Sequence, residues 1–121
     1  MRFMSYDLLV WDGPRPDNAQ DLRDTLDKIG ERHARDRKPD APSATIAEFV
    51  AALLRRWPDV EVPGSPWAAS GTGHADGSIL DVHIRWGREH EVSEFVAGLA
   101  QVFGLVCFDC QQGELRPEPV R

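Results

Sequence analysis

Apolar residues gather into stretches whose spacing changes along the chain, from an unbroken run near the start to helical and then alternating periods. Tyr6, Leu8, Leu9, Val10 and Trp11 form a short run closed by Asp12-Gly13-Pro14, which predicts a strand ending in a turn. Over residues 17–37, Ala19, Leu22, Leu26 and Ile29 recur at helical spacing and predict a surface helix with a thin apolar stripe. Asp17, Asp21, Asp24 and Asp27 load its early turns with carboxylates, which suit the positive end of a helix dipole. Lys38-Pro39-Asp40-Ala41-Pro42 breaks the chain, and Thr45-Ile46-Ala47-Glu48 fits a capping box that opens a second helix. Ile46, Phe49, Val50, Leu53, Leu54 and Trp57 give that helix a broad stripe, and Pro58 stops it.

Residues 59–77 are rich in proline, glycine and small side chains, which predicts a long connection containing a short strand over 67–70. Residues 79–86 alternate: Leu80, Val82, Ile84 and Trp86 face one way, and Asp81, His83 and Arg85 the other. Val92, Phe95, Val96, Leu99, Val102 and Phe103 predict a third helix, with Gly104 as its left-handed stop. Residues 105–109 read as the next strand, and Gln111-Gln112-Gly113 turns it toward a short return at 114–116. The predicted order is β-α-α-β-β-α-β with a final hairpin. It describes an α+β fold with a mostly antiparallel sheet and helices packed on one face, of ferredoxin-like type. The length of 121 residues suits one domain over 1–121, with a short tail at 117–121.

Composition narrows the function classes. A hydrophobic content of 41% supplies a core without covalent staples. No run approaches the ~20 apolar residues of a membrane span, and the first residues lack the apolar core of a signal peptide, so a cytoplasmic location is expected. Basic residues are almost all arginine, with only Lys28 and Lys38 as lysines, a bias that points to a GC-rich bacterial genome. The net charge of −6 argues against nucleic acid or an anionic membrane as partner, because phosphate contacts need clustered basic side chains. It suits a partner with a basic cleft, and mild acidity also serves solubility.

No complete catalytic motif is present. Cys107 and Cys110 match C-x-x-C, but they lie at a strand end with no helix N-terminus behind them and no second pair to complete a zinc site. Buried or incidental thiols are the expected reading, with neither metal nor cofactor. Asp81, His83 and Arg85 share a strand face, and an aspartate can orient a histidine as a general base. No serine lies in a nucleophile elbow, and polar residues on an open sheet face are ordinary. His33 and His90 fall in or beside helices and call for no special role. The glycine-rich stretch 70–77 lacks the lysine of a phosphate loop and reads as a flexible turn. Four tryptophans are many for this length: Trp57 and Trp86 fit core stripes, while Trp11 and Trp67 are candidate contact anchors or caps on the core.

Taken together, Met4-Ser5-Tyr6-Asp7-Leu8, Arg56-Trp57-Pro58, Ile84-Arg85-Trp86 and the run from Gly104 to Asp109 with Gly113-Glu114-Leu115-Arg116-Pro117 resemble a set of small bacterial proteins. These begin M-S-Y-D-L and end in a G-hydrophobic-x-F-D strand. The resemblance implies a translation start at Met4. Some members look like immunity proteins encoded beside polymorphic or type VI toxins, which implies a non-enzymatic inhibitor that occludes a cognate toxin's active site. The cysteines depart from that pattern. On this reading Trp11, Asp17, Asp21, Asp24, Trp67, Asp81, His83 and Arg85 are the candidate partner-binding residues. The alternatives are a small enzyme or ligand-binding domain using Asp81, His83 and Arg85 beneath the 64–77 loop, and a homodimer paired through an open sheet face.

Overall fold

The computed structural model describes residues 5–35, 38–68 and 71–116. The proposed Met4 start and the 117–121 tail lie outside them. The described residues form β1 (Tyr6–Trp11), α1 (Ala19–Ala34), α2 (Ala44–Arg56), β2 (Gly73–Asp76), β3 (Ile79–Ile84), α3 (Glu89–Val102), β4 (Val106–Asp109) and β5 (Glu114–Arg116). The strands make one antiparallel sheet in the order β2-β3-β1-β4-β5, an α+β architecture. The connection from β1 to β2 passes β3, and the connection from β3 to β4 passes β1. Each therefore needs a long crossover, which α2 and α3 supply.

Strand alternation divides the core in two. Leu8, Val10, Leu80, Val82, Ile84 and Cys107 point to one face, where Ile46, Phe49 and Leu53 of α2 and Val92, Val96 and Ala100 of α3 cover them. Leu9, Trp11, Ile79 and Val106 point to the other face, where Leu22, Leu26 and Ile29 of α1 pack on them. The expectation of helices on one face is therefore corrected. β1 carries apolar residues on both sides, so its second face also has to be removed from water, and the thin stripe of α1 suffices for that.

Local signals account for most element ends. Asn18 caps α1 by accepting from the Asp21 amide at 2.8 Å. Ser43 caps α2 by accepting from the Ile46 amide at 3.2 Å, which replaces the expected Thr45 capping box two residues later. Gly104 at φ +73° follows α3 as expected. The second strand lies at Gly73–Asp76 and not at 67–70, where among the described residues only an isolated bridge joins Trp67 to Ile84. Gly73 decides this: at φ +148°, a Cβ here would sit 1.8 Å from the Asp81 carbonyl oxygen, so glycine alone lets β2 close on β3.

Candidate functional site

The face carrying α1 is covered over only part of its area. Across β3 and β1, Ile79 pairs with Trp11 beneath the helix, Asp81 with Leu9, and His83 with Asp7. His74 of β2 pairs with Asp81 and so joins the same face, and the Cys110 amide donates to the Asp7 carbonyl at 3.1 Å. His33 reaches in from the last turn of α1. Register thus assembles Asp7, His74, Asp81 and His83 on a patch to which α1 adds His33, with Phe108 and Leu115 nearby.

These side chains are interlocked. His83 Nδ1 lies 2.8 Å from Asp7 Oδ1, which also accepts from the Ser5 hydroxyl at 2.5 Å. Gln111 Oε1 accepts from the Asp7 amide at 2.6 Å, fixing the backbone behind the pair. The His74 and His83 rings meet edge to face with centroids 5.7 Å apart, and His33 Nε2 is 3.9 Å from Asp81 Oδ2. Burial raises the Asp81 carboxyl above its ordinary value of 3.8, against the opposing pull of His33, His83 and His74. A cavity of about 120 Å³ beside the patch is lined by His33, His74, Asp81 and the Arg32 anchor. Arg32 grips Asp76 with two hydrogen bonds of 3.0 Å and so fastens α1 to β2.

Asp7 can hold the His83 imidazole in one tautomer, the arrangement a general base needs. No activated nucleophile accompanies it among the described residues. Burial pushes the Cys107 thiol up to about 12, whereas Cys110 is exposed beyond the end of β4 with Asp7, Asp81 and Asp109 near it. Neither cysteine is paired in a disulfide. Among the described residues, no three His, Cys, Asp or Glu side chains are placed to hold a metal ion, and no helix is long and apolar enough to cross a membrane.

Of the residues singled out in the sequence, the structure unites Asp81 and His83 only. β3 ends at Ile84, and Arg85 turns away to donate to the Trp67 carbonyl at 3.0 Å. Among the described residues of 64–77, none roofs the patch. The Ala68 amide donates to the His83 carbonyl and the His83 amide to the Thr72 carbonyl, so both described ends of the segment are pinned to the edge of β3. Trp11 is 5% exposed beneath α1, and Trp67 is fully buried, its indole N–H donating to the Trp57 carbonyl at 2.7 Å. Both are core residues in this chain and present no anchor. Asp17, Asp21 and Asp24 are exposed, but the Asn18 and Gln20 amides tie Asp21 and Asp24 to their own helix. His33, read as incidental in the sequence, belongs to the patch, as do Asp7 and His74.

The chain matches no protein-family model, no curated protein and no solved structure. The likeness to immunity proteins therefore rests on its sequence motifs alone.

Proposed function

We propose that this chain is a cytoplasmic bacterial binding protein of the immunity type, which neutralises a cognate toxin by covering its active site with the open part of the α1-side sheet face. The observation that carries this reading is the form of the patch. Asp7, His83 and His74 are linked on the sheet face, with the partly buried Asp81 and His33 of α1 beside them and Phe108 and Leu115 nearby, and the adjoining cavity of about 120 Å³ is well below the ~300–1,000 Å³ of small-molecule sites. A polar face with an apolar flank suits a macromolecular contact. The net charge of −6 favours encounter with a basic cleft, and the exposed Asp17, Asp21 and Asp24 add to that field. The strand order and two crossovers are also consistent with a ferredoxin-like core extended by α1 and β5.

Co-expression with the neighbouring open reading frame tests the proposal. A product that is toxic alone, harmless beside this chain and recovered with it in stoichiometric amount supports it. Asp81→Lys combined with His83→Ala should abolish protection while leaving the fold intact. Protection that survives this double change places the contact elsewhere, and no protection at all sinks the immunity reading. The 2.8 Å Asp7–His83 pair favours a second reading, a small-ligand or general-base site. A ligand that shifts the His83 ring resonances and is lost in Asp7→Asn would select it. Light scattering separates either from a homodimer paired through this face.

A further inference from the structure

On the opposite side of the sheet a second surface is built around β5. β5 is the outermost strand on its side, so among the described residues one edge of its backbone has no partner strand. Beside it, an open groove of about 640 Å³ separates β5 from α3. Ser93 and Ala97 keep the helix wall low, so the groove reaches down to Tyr6, and Glu89, Glu94 and Glu114 stand around it. Glu94 and Glu114 are exposed. The arginine of the lining is already engaged, since Arg116 donates to the buried Asp109 at 3.1 Å, and His90 lies 3.5 Å from Glu94. An open strand edge alongside a helix is the geometry in which extended peptides add to sheets, with backbone ladders for affinity and side-chain grooves for specificity.

We propose that this groove binds an extended lysine- and arginine-rich segment of a partner protein, which pairs with β5 as a sixth strand and lays alternate side chains against α3. Charge selects this occupant. A second copy would bring a chain of net charge −6 against three carboxylates, and an acidic segment or a nucleic acid meets the same repulsion. The three residues of β5 offer about 10 Å of ladder, so the segment contributes about three or four paired residues. The inference does not depend on the toxin reading, because the groove lies across the sheet from the Asp7–His83 patch.

The test uses the full chain, isotope-labelled, titrated with a blocked peptide of alternating arginine and valine. The expected result is saturable binding with resonance changes confined to β5 and the facing side of α3. Alternate N-methylation of the peptide, which removes its ladder donors, should weaken binding at least about tenfold. The doubly reversed Glu94→Lys/Glu114→Lys protein should do the same. Both positions are exposed, and an unchanged thermal melt verifies the fold of that variant. Binding indifferent to N-methylation or to charge reversal overturns the proposal, as do resonance changes that map elsewhere or none at millimolar peptide. A concentration-dependent dimer whose contacts map to β5 would give the edge to a second copy and likewise overturn it.

Discussion

Asp109 should be among the most expensive single side chains to remove. It is fully buried at the end of β4, and its carboxylate accepts four hydrogen bonds: from the Tyr6 hydroxyl at 2.5 Å, Arg116 Nη1 at 3.1 Å, and the Gln111 and Gln112 amides at 3.1 and 2.9 Å. It thereby joins the central strand, the β4–β5 turn and β5. Burial and the accepting Asp109 oxygen push the Tyr6 phenol up to about 12, so the hydroxyl stays a donor throughout the working pH range. Asp109→Ala leaves Arg116 charged, mostly buried and unpaired, a situation that costs about 3–5 kcal/mol. With domain stabilities of about 5–15 kcal/mol, that is at least about a fifth of the total.

Tyr6→Phe removes one donor and leaves the carboxylate three others, so it should cost only about 1 kcal/mol. Asp109→Ala combined with Arg116→Met should recover part of the larger loss, because no buried charge is then left without a partner. Urea unfolding followed by tryptophan fluorescence measures all three variants at unchanged m-value. An Asp109→Ala protein within about 1 kcal/mol of the wild type, or a Tyr6→Phe variant as costly as Asp109→Ala, would refute the account.

Gly73→Ala drives a Cβ into the Asp81 carbonyl and should abolish the cooperative thermal transition, while Gly64→Ala, at φ +86° in open space, should cost only about 1–3 kcal/mol of backbone strain. With the buried Cys107 thiol near 12, its thiolate fraction at about pH 8 is on the order of 10⁻⁴, so a disulfide reagent should label Cys107 far more slowly in the folded than in the unfolded protein, and the exposed Cys110 should react first. Rapid labelling of Cys107 in the folded state would contradict its environment. Because burial raises the Asp81 carboxyl, the stability its protonated form contributes is complete below 3.8 and lost as pH rises through the raised value. Asp81→Asn should therefore gain on the wild type across that window in urea melts, and a gap moving the other way would mean that attraction to His33, His83 and His74 outweighs burial.

Elements with one dominant period were legible in the sequence. The stripes of α2 and α3, the alternation of β3 and the glycine stop at Gly104 lie where the spacing puts them. β2 was not legible, since Gly73-His74-Ala75-Asp76 has no apolar alternation and is a strand because β3 offers its edge and Gly73 permits the approach. The site divides in the same way. Alternation puts Asp81 and His83 on one face, but Asp7, His74 and His33 arrive through register and helix docking, which local spacing does not encode. Arg85 obeys the alternation but lies past the end of β3. Trp11 and Trp67 were read by their residue type, yet in a chain this small large apolar rings are needed to fill the two cores.

The polarity of the α1-side face is coherent across strands. In β1 it runs in chain order from Asp7 through Leu9 to Trp11, polar to apolar, and in antiparallel β3 it runs from Ile79 through Asp81 to His83, apolar to polar. β4 follows with Val106, Phe108 and then Cys110 beyond the strand end. In space these gradients coincide, with their apolar ends beneath Leu22, Leu26 and Ile29 of α1 and their polar ends past the helix. A face merely left to solvent would need no such agreement, and any hydrophilic residues would serve it. Here the uncovered end holds carboxylates and imidazoles that contact one another: Asp7 with His83, His83 with His74, and Asp81 with His33. Uncoupled solvated side chains have no reason to adopt that arrangement, and it is the physical ground on which the proposed partner contact rests.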